Sequence, residues 1–143
     1  MSESNVHYFK LLEKKYDVEE DVFKKLGDLQ DLKKKIAEQN KKKARDNKER
    51  EEQLLKKIDF EQQDLADKAF KCEVAAKKKE AHIAEKEYKI REFERRIKKV
   101  EDEIDHLEKE LNEVEGDISA QQSGQPSTPK ETFPLEPTVL EDD

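Results

Sequence analysis

The sequence is poor in the residues from which a globular core is built. It has no Trp, one Cys, one Met, three Gly and four Pro among 143 residues, and only 32% of them are hydrophobic. A chain of this composition is not expected to enclose a core on its own. Charged residues make up 47% of the sequence, which is typical of a long helix where apolar residues recur periodically and of disorder where they do not.

The scarcity of cysteine and of long apolar runs restricts the cellular compartment. Cys72 is the only cysteine, so no internal disulfide can form, and a bridge to another chain is the remaining oxidised alternative. Residues 1–10 lack the apolar core of a secretion signal, and no apolar run is long enough to cross a bilayer. We therefore expect a cytoplasmic or nuclear protein without membrane insertion.

The sequence also lacks the groupings that carry catalysis. His7, His82 and His106 are far apart, and none has another His or Cys three or four residues away, so we expect no metal site. There is no glycine-rich phosphate loop and no Ser, His and Asp arrangement on a plausible scaffold. A straight helix offers no cleft that would desolvate a carboxylate. We expect no catalytic residue, no cofactor and no small-molecule substrate, so the protein is predicted not to be an enzyme.

What the sequence does contain is an apolar ladder in one seven-residue register from Leu55 to Ile118. Neither Gly nor Pro interrupts residues 28–115, so helix can run without a breaker. A strict seven-residue repeat predicts a coiled-coil seam, which must lie against another helix. The strongest positions form the predicted partner-binding seam: Ile83, Ile90, Phe93, Ile97, Val100, Ile104, Leu107, Leu111, Val114 and Ile118.

Before this ladder the helical pattern is weaker. Residues 5–39 carry a second register, which Lys15 and Lys25 interrupt. Gly27 allows an alternative in which the N-terminal part is a head of two short helices. Residues 40–53 have Ala44 as their only apolar residue, so we expect no seam to continue there. This polar break is interpreted as a solvated helical linker, with a hinge or hairpin bend as the alternative.

The two ends are predicted to be disordered. Residues 1–4 precede the first periodic segment, and the main coiled coil is expected to span residues 54–118. All four prolines lie in residues 119–143, together with Gln, Ser, Thr and acids. Low hydrophobicity with several prolines predicts a disordered acidic tail.

The gaps in the long seam bear on the partner. A parallel homodimer would set Lys79 against Lys79 and Lys86 against Lys86, which costs stability, whereas an antiparallel pairing centred near Val74 avoids both clashes. Some flanking charges favour the parallel pair, but Glu103 would then meet Glu108 near the end of the seam. These acids suit a partner helix with Lys or Arg at its flanks, so a heteromeric partner is favoured over a homodimer.

Two further surface features are candidate binding sites. Five apolar residues are expected opposite the seam as a second docking stripe, unless they are scattered on the surface by chance: Phe60, Phe70, Val74, Ala81 and Tyr88. The basic cluster Lys41, Lys42, Lys43 and Arg45 matches a short nuclear import pattern and could instead contact nucleic acid or a filament. A solvated helix face is the other interpretation, because neighbouring acids dilute the positive charge.

The sequence thus predicts an all-α protein, a long coiled-coil rod with a polar break near 40–53 and a disordered acidic C-terminal tail. The expected function is that of a non-enzymatic structural or adaptor subunit of a multiprotein assembly, acting by helix–helix association. The alternatives are a nuclear coiled-coil protein that contacts nucleic acid through its Lys-rich clusters, or a cytoskeletal filament adaptor. With a net charge of −7, general nucleic-acid binding is not favoured.

Overall fold

The computed structural model describes residues 3–123, and this part of the chain consists of two long helices without any strand. Helix α1 spans Glu3–Gln62, and helix α2 spans Ala66–Ser123. Both are rich in Lys and Glu, α1 also in Leu and α2 also in Ala, and these residues lose little side-chain entropy in a helix. The prediction of an all-helical protein is confirmed.

The chain turns at residues 63–65, where the sequence predicts uninterrupted helix. Asp64 takes a positive φ of 59°, a left-handed conformation that Asp adopts more readily than most residues. The backbone N–H of Leu65 then donates to the carbonyl of Phe60 at 2.8 Å, which satisfies one of the free acceptors at the end of α1. The register that starts at Leu55 is therefore divided between two helices.

The chain forms two compact units. The turn unit is Lys24–Ile104 and contains the end of α1, the turn and the first part of α2. The terminal unit is Met1–Phe23 together with Asp105–Asp143, and its described part pairs the start of α1 with the end of α2. Within each unit, the two helix segments run in opposite directions and contact each other.

In the turn unit, the helices meet through positions on α2 that are spaced alternately three and four residues apart. Ala69, Cys72 and Ala76 are buried near the turn, and the larger Ile83 and Ile104 are buried further along α2. Because the residues near the turn are small, the two backbones can approach closely there. Apolar volume increases with distance from the turn.

In the described part of the terminal unit, Val18 of α1 and Val114 and Ile118 of α2 are the buried apolar residues. Polar contacts join the two helix segments at the edge of this core. Lys15 Nζ lies 3.7 Å from Glu115 Oε2. The Nε2 of Gln122 donates to the hydroxyl of Tyr8 at 3.2 Å.

Several predicted boundaries differ from the observed ones. Helix α1 begins at Glu3, within the segment expected to be disordered, and it passes through Gly27 without a break, so no pair of short N-terminal helices forms. It also continues through residues 40–53, and the chain reverses only at 63–65. Helix α2 extends to Ser123, into the predicted tail. The rest of that tail, like residues 1 and 2, lies outside the described residues.

Candidate functional site

The polar segment of α1 is part of the contact with α2. Asp46 is buried, with 7% of its surface exposed, in the middle of the segment for which the sequence predicts no seam. Its carboxylate accepts a hydrogen bond from Lys86 Nζ at 2.5 Å. Lys79 Nζ lies 3.9 Å from the same carboxylate and 2.8 Å from Glu49 Oε1. We call Asp46, Glu49, Lys79 and Lys86 the ionic layer.

The sequence predicts no apolar seam through residues 40–53, and in the structure this segment contacts α2 through charged side chains. The side chains that α2 supplies at this level are Lys79 and Lys86, which lie in its own register. Two carboxylates on α1 pair with them: Asp46 with Lys86, and Glu49 with Lys79. A polar helix segment can thus form an interface when the facing helix carries the complementary charge.

The ionic layer shifts the pKa values of Asp46 and Lys79. The hydrogen bond from Lys86 holds the pKa of Asp46 below its ordinary value of 3.8, and the positive charges of Lys86 and Lys79 act in the same direction against the effect of burial. The hydrogen bond with Glu49 raises the pKa of Lys79 above its ordinary value. Both groups therefore remain charged at neutral pH.

Further ion pairs join α1 and α2 in the turn unit on either side of the ionic layer, among them Lys25 with Glu103 at 3.3 Å. Lys57 Nζ lies 3.0 Å from Glu73 Oε1, and Lys43 Nζ lies 3.5 Å from Glu87 Oε2. The Lys57 hydrogen bond lowers the pKa of Glu73, and the same contact raises the pKa of Lys57. These pairs define the alignment of α1 against α2, because each joins one position of α1 to one position of α2.

The predicted seam lies on the side of α2 that contacts α1. All ten of its residues are buried or half-buried, six of them in the turn unit up to Ile104 and four in the terminal unit from Leu107 onward. Phe93, for example, has Lys35 Nζ of α1 at 5.9 Å from its ring centroid. In the described structure, the helix that covers the seam is thus a segment of the same chain.

The predicted second docking stripe is not one helix face. Phe60 lies on α1, where Lys68 Nζ is 5.7 Å from its ring centroid, while the other four residues lie on α2. Of these, Phe70, Ala81 and Tyr88 are exposed and Val74 is half-buried. The stripe is interrupted because the turn at residues 63–65 separates Phe60 from its expected neighbours.

The predicted basic patch is divided between two environments. Lys41, Lys42 and Arg45 are exposed on α1. Lys43 is half-buried and engaged by Glu87 of α2. Three of the four cations are therefore presented to solvent, and the fourth contributes to the contact between the helices.

Sequence reasoning missed a set of exposed aromatic residues on the part of α1 that belongs to the terminal unit. Phe9, Tyr16 and Phe23 are 52%, 60% and 78% exposed. They are spaced seven residues apart, so they share one helix face. The seven-residue spacing of these aromatic residues is present in the sequence, but the weak register of residues 5–39 uses other positions of the same segment.

A smaller exposed apolar group lies near the turn. Leu55 and Ile58 on α1 are 65% and 48% exposed, although the long register starts at Leu55. They lie outside the contact because α1 and α2 follow different registers. Phe70 is exposed on α2 in the same unit.

Neither described helix is both long and apolar enough to cross a membrane. Among residues 3–123, no three His, Cys, Asp or Glu side chains are grouped in a way that could hold a metal ion. Comparisons with protein-family models, curated proteins and solved structures gave no match to this chain.

Proposed function

We propose that this protein is a non-enzymatic coiled-coil subunit, structural or adaptor in role, of a multiprotein assembly, and that it acts by helix–helix association. The observation that carries the proposal is the number of large apolar side chains left outside the contact between α1 and α2. Phe23, Leu55 and Phe70 are each more than 60% exposed. Exposed apolar groups of this size on a helix surface usually mark a protein contact.

In this proposal α1 and α2 form an antiparallel coiled coil within each unit. Heptad spacing of the buried positions supports it, as do the ion pairs that join opposite helices. The seam from Ile83 to Ile118 then stabilises the protein itself. Partner helices bind on the outer faces, and we favour a heteromeric partner over a second copy.

The ionic layer has a part in this function, because it selects one alignment of the two helices. An apolar seam alone tolerates a shift by one heptad. Asp46 contacts both Lys79 and Lys86, which are seven residues apart, so such a shift would leave it beside only one of the two lysines. A fixed alignment keeps the exposed apolar residues at defined positions. A partner that contacts several of these residues at once requires that their positions stay fixed.

The experiment that tests this function is purification of the tagged full chain from its native cell under gentle lysis. We expect a complex far heavier than the 16.9 kDa chain, as measured by light scattering after size exclusion. Replacing exposed apolar residues with Gln, in a variant L55Q/I58Q/F70Q, should lower the recovery of specific associated proteins at least fivefold. A matched variant at three exposed polar positions, Q30S/N40S/E61Q, should not.

Recovery of the chain only as a free monomer would overturn the proposal. So would an assembly whose composition is the same with both variants and with F9Q/Y16Q/F23Q. In either case the exposed apolar residues would have no role in association.

A further inference from the structure

Three aromatic residues in the terminal unit form one exposed face of α1. Phe9, Tyr16 and Phe23 follow one another at intervals of about 10 Å along the helix, since each residue adds ~1.5 Å. Val6 is 41% exposed beside Phe9, and the two residues border a shallow depression with Lys10 and Glu13. We call Val6, Phe9, Tyr16 and Phe23 the aromatic face.

The aromatic face is separate from the contact between α1 and α2. The residues one position earlier than the three aromatic rings, Tyr8, Lys15 and Val22, are half-buried, so they form the side of α1 that turns toward α2. The aromatic rings point away from that side by about one residue's rotation, roughly 100°. Their exposure is thus a consequence of the helix geometry and not of a missing core contact.

Acidic groups lie beside the aromatic face, together with Lys10 and Lys15. Glu13, Asp17 and Glu20 are exposed on α1. On the side of α2, Glu115 pairs with Lys15, whose Nζ also lies 6.0 Å from the ring centroid of Tyr16. Lys15 of α1 therefore contacts both Glu115 of α2 and the ring of Tyr16.

The described part of the terminal unit also carries a net negative charge. The described part of the terminal unit, residues 3–23 and 105–123, contains 4 Lys and 12 Asp or Glu, a net charge of −8. The turn unit, residues 24–104, contains 25 Lys or Arg and 20 Asp or Glu, a net charge of +5. The exposed aromatic residues of α1 thus lie in the most acidic described part of the chain.

We infer that the aromatic face binds an amphipathic helix of another protein, with apolar residues at heptad spacing and Lys or Arg beside them. This inference rests on the proposed function and names the chemistry of the partner. Apolar burial supplies affinity, and the acidic border selects a basic helix. The same face of a second copy is a poor partner, because it would bring Glu13, Asp17 and Glu20 close to identical residues.

A defined peptide tests this chemistry. The probe is a fluorescent three-heptad peptide with Leu at positions a and d and Lys at positions e and g, and its twin has Glu in place of every Lys. Binding to the full chain is measured by fluorescence anisotropy at 50 and 300 mM NaCl. We expect the Lys peptide to bind at least tenfold more tightly than the Glu peptide, with affinity falling as salt rises.

Two variants separate apolar from charge contributions. F9Q/Y16Q/F23Q keeps every charge and should weaken binding of the Lys peptide at least tenfold. E13Q/D17N/E20Q keeps every aromatic ring and should weaken it about three- to tenfold, with a smaller salt dependence. The matched control E51Q/E52Q/E61Q makes the same change in net charge on exposed positions of α1 in the turn unit, and it should change the affinity less than twofold.

Equal binding of the two peptides would overturn the inference, as would equal losses with both acidic triple variants. Sedimentation velocity adds a second arm: a dimer of the full chain that becomes monomeric in F9Q/Y16Q/F23Q would show that a second copy covers the face, against the inference. An assembly that persists in the cell while the Lys peptide fails to bind would reject only this partner chemistry. A chain found alone in the cell would reject the proposed function itself.

Discussion

Lys86 Nζ lies 2.5 Å from the carboxylate of Asp46, a residue forty positions earlier in the sequence. The two side chains come from different helices, and both are largely shielded from solvent. The ion pair thus explains why a lysine lies in the predicted apolar seam and why an aspartate in the predicted polar break is buried. The partner that Lys86 needs is provided by the same chain.

Removing Asp46 should leave Lys86 without its acceptor. We expect D46L to lower the free energy of unfolding by about 1.5–3 kcal/mol, the usual range for a hydrogen bond to a charged group. In D46L/K86M the uncompensated charge is gone, so at least half of the loss should be recovered. Urea unfolding followed by circular dichroism measures both.

The control for this prediction is E92Q, because Glu92 pairs with Arg95 on the exposed surface of α2. Its effect should stay within about 0.5 kcal/mol. A double variant less stable than D46L alone would show that Lys86 does not depend on Asp46.

Acidification should destabilise the fold through Asp46 and Glu73. Their folded pKa values lie below the ordinary values of 3.8 and 4.5, so the unfolded chain takes up protons first as the pH falls. Their stabilisation is therefore complete above pH 5 and is lost as the pH falls through 4 and below. The melting temperature should drop over that interval, and less steeply in D46N/E73Q. A drop already complete at pH 5.5 would assign it to other groups.

Cross-linking should detect the pairing of α1 with α2 inside single molecules. A carbodiimide joins Lys and carboxylate groups that are in direct contact, and Lys57 and Glu73 are 3.0 Å apart. We expect peptides that link Lys57 to Glu73 and Lys43 to Glu87 at any protein concentration. In an equal mixture of 15N-labelled and unlabelled chains, cross-links of mixed labelling should be rare. Mixed pairs in half of the products would show that α1 of one chain contacts α2 of another.

The turn should respond to substitution of Asp64. Its positive φ is accessible to Gly and to Asp but disfavoured for a β-branched residue. We expect D64V to destabilise by about 1–2 kcal/mol and D64G to differ from the parent by less than about 1 kcal/mol. Urea unfolding measures this, with D67V at an exposed site in the first turn of α2 as the control. An effect of D64V no larger than that of D67V would contradict the observed turn.

The heptad positions of α2 were predictable because a repeat of seven residues marks one helix face whatever the partner. Ile83 and Val114 are buried and Phe93 is half-buried. The turn was not predictable from composition, because residues 63–65 are Gln, Asp and Leu and contain no Gly or Pro. Leu55 also fits the α2 register by its spacing alone, and this concealed the change of helix.

A clue to the turn was present in the charges. Lys79 and Lys86 interrupt one register, and Asp46 and Glu49 occupy the polar segment on the other side of residue 64. Complementary interruptions on opposite sides of a point indicate an antiparallel fold-back. These complementary interruptions become evident only when the two registers are compared. Each register alone shows only charged residues at positions where apolar ones are expected. Exposure of Phe9, Tyr16 and Phe23 likewise depends on which face of α1 meets α2, which neither helix reveals by itself.

Cys72 is buried between the helices close to the turn, and it is the only thiol in the sequence. A maleimide can reach it only when this end of α1 and α2 separates. The rate of its labelling therefore measures how often the turn unit opens locally, without any engineered probe. In D46L and D64V, a labelling rate that rises more than the loss of global stability accounts for would show fraying near the turn. A rise that matches the loss of global stability would show unfolding of the whole chain.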